Sequence, residues 1–138
     1  MRDFAKHLIA YETNGNKSSE TKAAAVFLVG EKLRLHLTAL MGNVGFRALL
    51  SRALALAKAE VPWLHAVHVK ADGSLEGLDA LGAQVKPAAI FEGRVVLLAQ
   101  LLGLLVAFIG ERLTLSLVRE IWPRIPLNDL DFGNGDKK

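Results

Sequence analysis

The chain of 138 residues carries 17 Lys and Arg against 14 Asp and Glu, for a net charge of +3, with no cysteine and 51% of its positions drawn from AVILMFWYC. With glycine counted, about 60% of the chain is apolar, above the roughly 45–50% of an average globular domain, and the surplus is aliphatic, since 25 Leu and 19 Ala stand against 9 aromatic residues. Lack of cysteine excludes disulfide frameworks, thiol nucleophiles, iron–sulfur clusters and cysteine-ligated zinc, and a small charge with acids beside most bases speaks for solubility before any polyanionic partner.

A chain of this length buries about two-thirds of the surface that its unfolded form exposes, which suits a single helical domain, expected over 1–127. Residues 2 to 12 read as a short amphipathic helix with Phe4, Ala5, Leu8 and Ile9 on one side. Arg2, Asp3 and Lys6 interrupt an apolar pattern already too short for a secretory leader, so no signal peptide is expected and the cytoplasm is the expected compartment. The run Asn14-Gly15-Asn16-Lys17-Ser18-Ser19 breaks this helix. Ser18 or Ser19 then caps a second one, whose stripe Val26, Gly30, Leu33, Leu37 and Leu40, with Phe27 alongside, runs to about Leu40. Gly42 suits its C-terminal stop and Asn43 the cap of a third helix, with a buried face of Phe46, Leu49, Leu50, Ala53, Leu56 and Ala57. The short connection predicts that the two lie antiparallel.

Val61-Pro62 ends the third helix. His65 to Lys70 alternates with period two, Ala71-Asp72-Gly73-Ser74 signals a turn, and Leu75 to Leu78 reads as a returning strand, which together predict a short β-hairpin or extended insert near 64–78. Residues 79 to 87 read as a loop, with Pro87 suited to the first turn of the last helix. That helix is expected over 88–121. Thirteen of the sixteen residues from Val95 to Gly110 are hydrophobic, the exceptions being Gln100, Gly103 and Gly110. A helix that is apolar all round is covered on every side, by protein or by lipid. The uncharged run spans about 24 Å, short of a hydrocarbon core of ~30 Å, which favours cover by protein. Trp122-Pro123 stops the helix, Arg124 to Leu127 is expected to be extended, and 128–138 to be a mobile polar tail. The expected architecture is therefore a mainly α bundle of about four principal helices around a long apolar C-terminal helix.

One finer pattern sits on that helix. Ala99, Gly103, Ala107, Gly110 and Thr114 recur every three or four residues and form a stripe of small side chains. A glycine in mid-helix costs about 1 kcal/mol against alanine unless close packing offsets it. The stripe predicts a tightly packed partner helix, in the same chain or in a second subunit related by a two-fold axis. These five residues are the interface candidates.

The other motifs carry less. His65 and His68 form an H-x-x-H pair, yet in a strand they fall on opposite faces, and no third metal ligand is marked. In Gly73-Ser74-Leu75-Glu76-Gly77 the serine directly follows the first glycine, which is not the spacing of a nucleophile elbow. Neither of the usual glycine-rich phosphate cradles occurs. The acidic run from Asp129 has glycine and asparagine where a calcium loop needs Asx and glycine, and no closing Glu. Arg47, Arg52 and Lys58 are too sparse for a recognition helix, so nucleic acid is not expected as a partner. No catalytic, cofactor-binding or metal-ligating residue is assigned, and no cofactor is expected.

The function that this reading favours is a non-catalytic interaction or regulatory module that self-associates, as a homodimer, or binds another protein through its long apolar helix. The alternatives are a membrane-associated or membrane-inserting effector that uses the 95–110 segment, and a small enzyme or metal-binding protein with its site near His65 and His68.

Overall fold

A computed structural model describes residues 2–13, 19–73, 75–77 and 85–124. Helix α1 (Arg2–Thr13) buries Phe4, Ala5, Leu8, Ile9 and Thr13, the spacing of one helical face. Helix α2 (Ser19–Glu60) is broken at Gly42, where φ is 82° and ψ 163°. This backbone conformation is essentially restricted to glycine, so the sequence itself places the break. The two arms fold back on each other: a side chain at Gly73 would lie 3.2 Å from the Phe46 ring and 3.7 Å from Arg34. In one straight helix the twelve residues from Arg34 to Phe46 would instead span about 18 Å.

Both arms bury the expected faces, with two shifts. In the first, Val26, Val29, Leu33 and Leu37 are buried, whereas Gly30 and Phe27 are exposed and Leu40, two residues before the break, is 62% exposed. Val29 thus takes the place expected for Gly30. In the second arm Leu54 is buried with Phe46, Leu49, Leu50, Ala53 and Ala57, while Leu56 faces outward.

Pro62–Ala66 forms a 3₁₀ helix, and only His68–Val69 (β1) pairs with Leu75–Glu76 (β2), antiparallel, with His68 opposite Glu76 and Val69 opposite Leu75. The expected strand from His65 is therefore shorter. Leu64 and Val67 are both buried, and their separation of three residues follows a helical turn rather than a strand. The Gly73 N–H closes the hairpin turn on the Lys70 carbonyl at 3.0 Å.

Helix α3 (Pro87–Ile109) does begin at Pro87, but it ends at Gly110, where φ is 89° and ψ 161°. A separate helix α4 (Glu111–Ile121) follows. The single helix expected over 88–121 is thus two, because Gly110 takes nearly the same backbone conformation as Gly42. The architecture is a mainly α, four-helix bundle of α1, the two arms of α2 and the apolar α3 continued by α4, with a short antiparallel hairpin as insert. The expected turn at 14–18, the strand end at Leu78, the loop over 79–84 and the tail beyond 124 lie outside the described residues, as does the Ser74 of the hairpin motif.

Candidate interaction surface

Cover of α3 is uneven along its length. Val95 to Ala99 are buried without interruption, followed by Leu101, Leu102 and Leu105. Beyond Leu105 the cover thins: Val106 and Ile109 are half-buried against the core, Ala107 is exposed, and Phe108 is 66% exposed. The expectation of a helix covered on every side therefore holds for its middle and not for its C-terminal end.

The five small residues fall into different settings. Ala99 is buried, Gly103 half-buried and Ala107 exposed, all on α3. A side chain at Gly103 would meet no heavy atom of another element within 4 Å among the described residues, so none of the described helices packs tightly against it. Gly110 is also open, and its positive φ accounts for glycine there without any close neighbour. Thr114 lies across the break, fully buried, and donates its hydroxyl to the Gly110 carbonyl at 2.8 Å. The structure thus keeps Ala99, Gly103 and Ala107 on one helix and moves Thr114 into the bundle. Gly93, which the stripe does not include, is where α3 does meet close packing: a Cβ there would sit 2.3 Å from the Trp63 indole.

A shallow polar cleft borders Gly103. It is lined by Arg2, Asp3, Glu60, Val96, Ala99 and Gln100 together with Gly103 itself. Glu60 accepts from Arg2 through one carboxylate oxygen and from the Gln100 amide, at 2.7 Å, through the other. Gln100, the polar exception in the apolar run, thereby ties α3 to the ends of α1 and α2. At the far end of α1, Glu12, only 11% exposed, accepts from Lys32 and from the Trp122 indole N–H at 2.6 Å. The Lys32 ammonium also stands 6.0 Å from the centre of the Trp122 ring. This group joins α1, α2 and the residue after α4.

A second cleft, missed in the sequence, opens between the two arms of α2 and α3. Gly30, Glu31, Arg34, Phe46, Arg94 and Leu101 are among its lining residues. Arg34 donates Nε and Nη2 to the two Glu31 oxygens, at 3.2 and 2.6 Å, and Nη1 to the Asp72 carbonyl at 3.1 Å. The hydrogen bond to Glu31 holds the guanidinium pKa above its ordinary value. Glu31 and Arg34 stand three residues apart on one helix, an i, i+3 ion pair.

His65 and His68 are exposed, one on the 3₁₀ helix and one on β1. Among the described residues no group of three or more His, Cys, Asp or Glu side chains is placed to hold a metal ion. Of the three sparse bases, Arg52 is exposed, whereas Arg47 and Lys58 are half-buried. Residues Ala88–Ile109 are long and apolar enough to cross a membrane, and half of an 18-residue apolar window within them is buried. No family model, curated protein or solved structure matches this chain.

Proposed function

We propose that this chain is a non-catalytic helical interaction module that self-associates as a homodimer in the cytoplasm through the open face of α3. The observation that carries the reading is Gly103: a glycine in mid-helix whose Cβ position meets no side chain or other element within 4 Å among the described residues, one turn before exposed Ala107. Small residues let a second helix approach closely, and a two-fold axis would present the same face from both subunits. Arg2, Asp3 and Glu60 at the border of that face carry both signs of charge, as a self-complementary rim requires. The solution mass tests this: a particle of twice the 14.9 kDa chain mass is expected for the wild type, and a monomer for Gly103→Leu with unchanged helix content. A monomeric wild type at high concentration would overturn the reading. Gly110→Leu is the weaker test, since its positive φ strains any side chain.

A second reading, association with a membrane, is favoured by helix length. The 23 residues of α3 reach about 34 Å, enough for a hydrocarbon core of ~30 Å. Liposome flotation separates the two readings, and recovery only in the soluble fraction would exclude the membrane.

A further inference from the structure

Gly30 is another mid-helix glycine that the described residues leave uncovered. A Cβ there would meet no side chain and no other element within 4 Å among them, so packing does not offset the cost of about 1 kcal/mol that glycine imposes against alanine in a helix. The room beside it belongs to a cavity of 170 Å³ between the arms of α2 and α3. Val26, Leu50, Leu97 and Leu101 are among its apolar walls, and Phe27, 56% exposed, stands at its edge. An apolar cavity of roughly 150 Å³ holds benzene, so this one suits an aromatic molecule of one or two fused rings.

The charges of the lining are engaged within the chain. Arg34 is held by both Glu31 oxygens and by the Asp72 carbonyl, and Arg94 has an interaction of its own. The cleft therefore calls for no counter-ion, and an occupant without net charge fits it best. Glu31 keeps accepting capacity all the same. Each carboxylate oxygen has two lone pairs, of which Arg34 takes one on either oxygen. The same chain shows what such a paired carboxylate can add: Glu12 Oε2 accepts from Lys32 and also from the Trp122 indole N–H, at 2.6 Å. An N–H that donates to a carboxylate makes a charge-assisted bond, stronger than one between neutral groups. We propose that this cleft binds a neutral fused-ring aromatic molecule of the indole class, with its rings against Gly30 and its ring N–H donated to Glu31. The cleft shares no lining residue with the one beside Gly103, so binding and self-association are separate properties.

Calorimetric titration of the full chain with indole tests the proposal, with benzofuran as a comparator of the same shape whose ring oxygen cannot donate. One site per chain is expected, with indole at least about tenfold tighter, the worth of a hydrogen bond to a charged group. Glu31→Gln keeps the side chain's shape, removes its charge and should bring the two compounds to within about threefold of each other. Gly30→Leu fills the cavity from a regular helical position and should weaken indole binding at least tenfold. Proton NOEs from the indole ring to the Leu97 and Leu101 methyl groups should locate the ligand in the wild type, which decides the matter even if a variant fails to fold. No binding of indole, benzofuran binding as tightly as indole, an undiminished preference in a folded Glu31→Gln chain, unchanged binding by a folded Gly30→Leu chain, or NOEs confined to other methyl groups would each overturn it.

Discussion

The middle and the C-terminal end of α3 are built from the same residue types and meet different fates. From Val95 to Leu105 all but Gln100, Gly103 and Leu104 are buried, whereas from Val106 to Ile109 none is. Two glycines of the helix repeat the contrast: Gly93 is pressed against Trp63, and Gly103 has no neighbour from another element within 4 Å of a Cβ position among the described residues. The hydrophobic effect requires that apolar area leave water, but it is non-directional and does not choose what covers that area. Here the neighbouring segments cover the middle of the helix fully and its last turn only in part.

Substitutions at matched positions can break this contrast. Leu102→Ala, at a fully buried site, is expected to lower stability by about 2–5 kcal/mol in urea denaturation. Gly93→Ala puts a methyl group where the Trp63 ring lies and should cost about 1–3 kcal/mol by overpacking, with a change in tryptophan emission as the ring is displaced. Glu12→Ala leaves the Trp122 N–H and Lys32 without their acceptor and should cost about 1–2 kcal/mol, read by denaturation and by Trp122 emission. Phe108→Ala, at an exposed site, should change the stability of the isolated monomer by no more than about 0.5 kcal/mol. A loss above 2 kcal/mol in a monomeric sample would mean that the end of α3 is covered by its own chain after all.

Periodicity made much of the fold legible, because a face buried against neighbouring helices leaves its spacing in the sequence. Phe4, Ala5, Leu8 and Ile9 mark α1, and Gly42-Asn43 marks the break in α2. The break at Gly110 was harder to see. Gly103 and Gly110 look alike within one apolar run, and only Glu111, an acid in the first turn of α4, signals a new helix N-terminus, where negative charge is favoured. The stripe around Gly103 could be read because its residues lie one or two turns apart. The cleft at Gly30 could not, since its walls come from three helical segments and the hairpin, which meet only after α2 folds back. The bond from Trp122 to Glu12 spans 110 positions, and no local pattern announces it.

The break at Gly42 also governs whether this chain remains its own partner. Without it, the 42 residues of α2 could run as one rod of about 63 Å. The second arm would then be carried too far to reach its own α3, and it would find the same docking site on another copy, a domain swap through a hinge of one residue. Gly42→Ala favours this outcome twice over, by straining the bend and by strengthening the helix. An exchanged dimer that persists on dilution, with the same secondary structure as the native chain, is the form expected on refolding, and size-exclusion chromatography would reveal it in a chain that also carries Gly103→Leu, which is otherwise expected to be a monomer. A single glycine thus keeps this bundle's contacts within one molecule.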